Sequence, residues 1–219
     1  GSEMCIRDSE NVVMYLKSFA NSIRLKLRSP VELRVIDEEG KITGVVNGVV
    51  RHEVPMSYYY NETITIYYLT ESYLYEVAGI EEDHYSLEIT LTKEGSVTIF
   101  QATDIPSSQN VLHQYGINWD TLSRGEEGVT VQVDSDGDGV FEHTFTSDSE
   151  LTRSEYLASL GDLNGDGKVD IQDVSTAALA FGSLPGHPRW NPIADVNKDN
   201  KIDIHDMVII ATNFGKTYT

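Results

Sequence analysis

The sequence predicts a chain in two parts. Residues 10–150 form a mostly β domain of sandwich type, and residues 161–219 a small all-α domain of two loop–helix (F-hand) repeats, joined by a helical stretch at 151–160. Three observations predict this. Short segments of alternating apolar and polar residues recur about every ten residues through the first part. A twelve-residue stretch rich in side-chain oxygens, 162–173, is written a second time at 195–206. Each copy then runs into a segment whose apolar residues have helical spacing.

The β elements come first along the chain. "SIRLKLRS" and "PVELRVID" alternate cleanly, and "ETITIYYLT", "SYLYEVAG", "YSLEITLT", "SVTIFQAT" and "GVTVQVDS" continue the pattern. Turn signals such as "DEEGK", "NG" and "KEGS" separate them. Many short strands at that interval predict a sandwich. The segment "VFEHTFT", from Val140, also alternates like a strand. Before residue 10 the chain reads as a non-native leader. "GS" looks like a cloning scar, and "SEMCIRDS" resembles a translated sequencing-adapter fragment, so Cys5 carries no weight. The joining stretch "LTRSEYLASLG" reads as a short helix, with Thr152 and Glu155 placed for a capping box.

The repeated stretches carry the chemistry. In "DLNGDGKVDIQD", Asp162, Asn164, Asp166, Asp170 and Asp173 stand at loop positions 1, 3, 5, 9 and 12, and Lys168 offers its carbonyl at 7. Gly167 takes position 6, where the chain turns sharply. This is the oxygen spacing of an EF-hand calcium loop. Like charges this close repel, and a divalent cation offsets that repulsion. In "DVNKDNKIDIHD", Asp195, Asn197, Asp199, Lys201, Asp203 and Asp206 repeat the same positions. Position 6 is now Asn200, and Asn tolerates a left-handed backbone best after Gly. Val174, Ala177, Ala178 and Phe181 predict one helical face, and Met207, Ile210, Ala211 and Phe214 its counterpart. Gly182 and Gly215 suit the helix ends. A third acidic loop, "DSDGDGVFE", offers Asp134, Asp136 and Asp138, the Val140 carbonyl and Glu142 at positions 1, 3, 5, 7 and 9. Its position 12 is Phe145, so a bidentate ligand is missing there. Asp148 or Glu150 is a candidate to supply one. The expectation is two calcium ions in the helical domain and a third in the β domain.

The two loop–helix repeats resemble the dockerin module, with Asp173 and Asp206 in place of Glu at position 12. The resemblance covers 161–216, and the connector "GSLPGHPRWNPIADVN" is similar to that of dockerins in archaeal and environmental bacterial proteins. It implies calcium-dependent docking onto a cohesin domain of another protein. It also implies that loop positions 10 and 11 and the exposed helix face make the contact: Ile171, Gln172, Ile204 and His205, joined by Leu179, Val208 and Ile209. These are not the Ser/Thr pair that cellulosomal type I dockerins favour. The segment "SPVELRVIDEEGKITGV" is similar to β-sandwich accessory modules of secreted microbial proteins.

Composition narrows the alternatives. A formal net charge of −19 argues against nucleic-acid binding. No membrane-length apolar run and no signal peptide occurs in the sequence. An extracellular or cell-surface location is inferred instead, consistent with the absence of cysteine from 10–219. No zinc-protease helix, G-x-S-x-G elbow, P-loop or dinucleotide fingerprint is present. "HEVPM" lacks a second His, and Pro55 would break its helix. The fragment is therefore read as non-catalytic. Two alternatives to docking stand beside it. The calcium pair could clamp the chain end onto its own β domain. The tyrosines Tyr58–Tyr60 and Tyr67–Tyr68 could make the β domain a sugar-binding platform. Burial of Ile171, Ile204, Val208 and Ile209 would favour the clamp, and their exposure would favour docking.

Overall fold

A computed structural model describes residues 21–28, 31–67 and 72–218. The leader 1–9 with Cys5, and Tyr68, lie outside the described residues. The chain divides into two compact units, one of Gly1–Thr103 with Ser107–Glu150, the other of Asp104–Pro106 with Leu151–Thr219.

The first unit holds two antiparallel sheets. One is six-stranded, and five of its strands run in the order β9 (Ser96–Ser107), β8 (Asp83–Lys93), β1 (Ser22–Arg28), β6 (Thr63–Ile66), β5 (Ser57–Tyr60). The other runs β12 (His143–Ser147), β11 (Val129–Asp134), β10 (Leu112–Ile117), β7 (Leu74–Gly79), β2 (Val31–Ile36), β3 (Ile42–Val46), β4 (Val49–His52). A one-turn helix, α1 (Trp119–Ser123), links β10 to β11. Alternation sets the faces: Ile23, Leu25 and Leu27 of β1 are buried, and Arg24, Lys26 and Arg28 between them are exposed.

Several strands lie where the alternation is weak. The β3–β4 hairpin turns on Asn47 and Gly48, both at positive φ (52° and 74°), as a two-residue hairpin turn requires. β10, "LHQYGI", escapes a search for alternating apolar residues because its buried face carries His113 and Tyr115. "VFEHTFT" is strand only from His143; the residues before it belong to the acidic loop.

The two sheets meet through a polar cluster. The Tyr85 hydroxyl on β8 lies 3.0 Å from His113 Nδ1 and 2.5 Å from the Tyr115 hydroxyl, both on β10. His113 is fully buried, and burial pushes its pKa down to about 3. The folded unit therefore keeps this imidazole neutral, whereas the unfolded chain protonates it near pH 6.5. Between those values the unfolded state binds the extra proton, so stability falls as pH drops from 6.5 towards 3. The expected loss at pH 4 is about 3 kcal/mol. His113→Asn should flatten that part of the profile in urea titrations run from pH 7 to 4.

The second unit contains β13 (Glu150–Thr152) from Leu151 onward, α2 (Arg153–Ser159), α3 (Ile171–Ala180), a 3₁₀ turn at Pro192–Ala194 and α4 (Ile204–Asn213). Thr152 caps α2, accepting from the Glu155 N–H, and the Glu155 carboxylate accepts from the Thr152 N–H at 2.9 Å. The core is Leu163, Val169, Ala177, Ala180, Ala194, Val196, Ile202 and Ile210. Leu163, Val169 and Ala177 correspond in the repeat to Val196, Ile202 and Ile210. The buried stripe is turned from the face the spacing predicts: it runs Asp173, Ala177, Ala180 and Asp206, Ile210, Asn213. Phe181 and Phe214 are C-caps with extended backbone, so they leave the helical face and are exposed. Ala178 and Ala211 are exposed as well.

Candidate metal centres

Each repeat loop folds around its first and last carboxylates. In the first, Asp162 Oδ1 accepts from the Gly165 N–H at 2.9 Å and Oδ2 from the Gly167 N–H at 2.8 Å. Asp173 accepts from the N–H groups of Leu163 (2.8 Å), Asn164 (3.2 Å) and Asp170 (2.8 Å). Asn164 accepts from the Asp166 N–H, Asp166 from Lys168, and Asp170 from Gln172. The second loop is wired alike. Asp195 accepts from Asp199 and Asn200, and Asp206 from Val196, Asn197 and Asp203. Asn197 accepts from Asp199, Asp199 from Lys201, and Asp203 from His205.

The position-12 carboxylates serve two structures at once. Asp173 and Asp206 form capping boxes with the helix caps Asp170 and Asp203. The cap and first-turn acids suit the positive end of each helix. Asp162, Asp173 and Asp206 are almost wholly buried, yet no Lys, Arg or His pairs with them among the described residues. Burial first, and then Asp173 and Asp166, push the Asp162 carboxyl up, against the opposing N–H groups of Gly167 and Gly165. Burial, Asp206 and Asp199 do the same to Asp195. A buried carboxylate without a cation is costly. The donor set is all oxygen, which fits a hard divalent cation such as calcium. Asp203 behaves oppositely, held low by its contacts with His205.

The third loop, between β11 and β12, copies the wiring with one change. Asp134 accepts from Gly137 (2.7 Å) and Gly139 (2.9 Å), Asp136 from Asp138, and Asp138 from Val140. The position-2 N–H, Ser135, donates to Glu142 Oε2 at 2.7 Å. In the repeat loops that N–H goes to position 12. Glu142, one methylene longer than Asp and standing at position 9, takes that role, which explains how the loop closes with Phe145 at position 12. Carboxylate oxygens of Asp134, Asp136, Asp138 and Glu142 all lie within 4.8 Å of one another. Asp148 and Glu150 are not in this cluster: Asp148 accepts from the Glu150 N–H. Asp199, Asp203 and His205 form a second such group, on the second repeat loop.

Of the contact residues the sequence suggests, Ile171 (64% exposed), Leu179 (75%), Ile204 (59%) and Val208 (55%) face outward, as do Gln172 and His205. Ile209 packs partly against the helical core. Phe181, Leu184 and Phe214 are exposed too. Helical periodicity hides the two phenylalanines, because it assigns them to the buried face.

Residues 160–214 match the family model of the dockerin type I domain. A type II cohesin–dockerin domain from Bacteroides cellolosolvens is 41% identical over 26% of this chain and 87% of that one, with a TM-score of 0.23. Two interface mutants, C-terminal and N-terminal, of the type II cohesin–X–dockerin complex from Acetivibrio cellulolyticus are 13% and 12% identical. Each likeness spans 86% of this chain and 83% of the other, with a TM-score of 0.25. No curated protein matches the chain.

Proposed function

We propose that the chain, whose C-terminal segment is a dockerin type I domain, docks onto a cohesin domain of another extracellular protein and that docking requires calcium. The carrying observation is the outward position of Ile171 and Ile204, equivalent residues at the first turns of α3 and α4. Each follows directly on the position-9 ligand of its loop, so metal binding fixes the helix start that presents it. Leu179 and Val208, with Gln172 and His205, extend the surface. Exposed apolar residues grouped in this way mark a partner site.

Two ions occupy the repeat loops in this reading, held by side-chain oxygens at positions 1, 3, 5, 9 and 12 and by the Lys168 and Lys201 carbonyls. A third sits in the Asp134–Glu142 loop and stiffens the β unit. The domains run 10–150, 151–160 and 161–219. No catalytic step is assigned.

The test is calorimetry with calcium and then with an immobilised cohesin. Three calcium ions are expected per chain. Asp162→Ala and Asp195→Ala should each remove one and weaken docking, while Glu142→Gln should remove the third and leave docking intact. Ile171→Asp with Ile204→Asp should weaken docking by about thirtyfold or more at unchanged calcium stoichiometry. Docking indifferent to that pair, or to chelator, would overturn the reading.

A further inference from the structure

The outer face of the sheet that holds β1 carries cations that the rest of this acidic chain does not explain. Arg24, Lys26 and Arg28 point out from β1 at the centre of the sheet. None of the three forms an ion pair among the described residues. By contrast Arg34, Lys41, Arg51 and Arg124 of the same unit each lie within salt-bridge distance of a carboxylate. Three cations without an ion pair on one strand, faced in register by one carboxylate, Glu88 opposite Lys26, leave a net positive stripe on a chain of net charge −19.

Strand register places aromatic rings to one side of that stripe, two strands away on β5. One row across the sheet reads Tyr58, Thr65, Arg24, Thr90, and the next Tyr60, Thr63, Lys26, Glu88. Directly paired residues share a face. Tyr60 is 76% exposed, and Tyr58 stacks on Tyr67 with ring centroids 6.2 Å apart. On its other side, towards β8 and β9, Lys26, Arg28, Ser86, Glu88, Gln101 and Thr103 line a depression of about 190 Å³. Gln101 Nε2 donates to Glu88 Oε2 at 3.1 Å, which orients both groups on its floor. Five strands span about 19 Å at sheet spacing.

We propose that this face binds an anionic polysaccharide, an extended chain of uronate type lying across the strands. Its carboxylates pair with Arg24, Lys26 and Arg28, as guanidinium and ammonium groups favour. Its apolar ring faces pack on Tyr60 and the edge of the Tyr58–Tyr67 stack, and its hydroxyls meet Thr63 and Ser86. A thin ligand reaches the cations without covering the surrounding acidic surface, which a folded acidic protein would have to approach. The proposal is independent of docking, since it uses no residue of the helical unit.

The test uses the full chain at fixed free calcium, with oligogalacturonate, neutral cello-oligosaccharide and polyglutamate as probes in affinity electrophoresis and calorimetry. Oligogalacturonate should bind, more weakly as sodium chloride is raised. Lys26→Gln and Arg28→Gln should each weaken it by about tenfold. Tyr60→Ala should weaken it with the thermal midpoint unchanged, and Asp162→Ala should leave it unaltered. Failure of oligogalacturonate to bind would overturn the proposal. So would equal binding of polyglutamate, equal binding of the neutral sugar, or binding lost with Asp162→Ala and kept with Lys26→Gln.

Discussion

Chelating calcium is expected to unfold the helical unit while the two-sheet unit stays folded. The core cluster of the two repeats has eight buried residues, of which Ala177, Ala180 and Ala194 bring little apolar surface. Units of this size are marginal by themselves, and this one has no disulfide, since the sequence's one cysteine is Cys5. Against that core stand Asp162, Asp173 and Asp206, buried and without a cationic side chain among the described residues. Backbone N–H groups satisfy their lone pairs but do not neutralise their charge. Calcium at 100 times its dissociation constant adds about 2.7 kcal/mol per site, so two sites contribute about 5 kcal/mol. That is comparable with the whole stability of a small domain. Calorimetry in millimolar calcium should show two transitions, and chelator should abolish the one that carries the helical signal. An unchanged helical spectrum and midpoint in chelator would refute the claim that metal holds this unit together.

The repeat loops are legible in sequence because metal geometry dictates residue type at fixed spacing, and spacing survives without any knowledge of the fold. The capping box at Thr152 and Glu155 is legible for the same reason: both partners lie within one turn. What the sequence hides is non-local or compensated. β10 conceals itself because a polar network across the sandwich, Tyr85 with His113 and Tyr115, replaces the apolar residues that a pattern search counts. Glu142 closes the third loop from position 9, a substitution visible only once Ser135 is seen to donate to it. The helical stripe is turned because Asp173 and Asp206 point inward to their loops, which shifts the buried face towards residues that hydropathy scores as polar.

Gly167→Asn, which gives the first loop the second loop's own residue, is expected to destabilise the helical unit, although by less than Gly167→Ala. Both position-6 residues sit at positive φ, 85° for Gly167 and 66° for Asn200. Backbone strain alone would therefore make Asn acceptable at 167. The chain's last residues decide otherwise. In each half, position 8 of one loop pairs with the exit of the other half's helix. The Val169 carbonyl accepts from the Gly215 N–H, and the Val169 N–H donates to Lys216; the Ile202 carbonyl accepts from Gly182, and the Ile202 N–H donates to Ser183. Beyond this the halves differ. The Tyr218 N–H donates to the Gly167 carbonyl at 2.8 Å, and the Tyr218 carbonyl would stand 2.7 Å from a Cβ on residue 167. The residue equivalent to Tyr218 is Pro185, which has no N–H to give, so no strap crosses Asn200. Gly167→Ala meets both penalties: about 1–2 kcal/mol for the left-handed backbone and about 1 kcal/mol for the displaced Tyr218 hydrogen bond. Gly167→Asn meets mainly the second, together with the loss of Tyr218 packing against the core. Asn200→Gly should be nearly neutral. Deleting residues 218 and 219 separates strap from strain: in that background Gly167→Asn should cost almost nothing, and Gly167→Ala should keep only its backbone penalty. The double-mutant cycle, read as thermal midpoint and as calcium affinity of the first loop, isolates the coupling between position 6 and the chain end. Equal costs for Gly167→Asn in the full and shortened chains would show that the strap does not select the glycine.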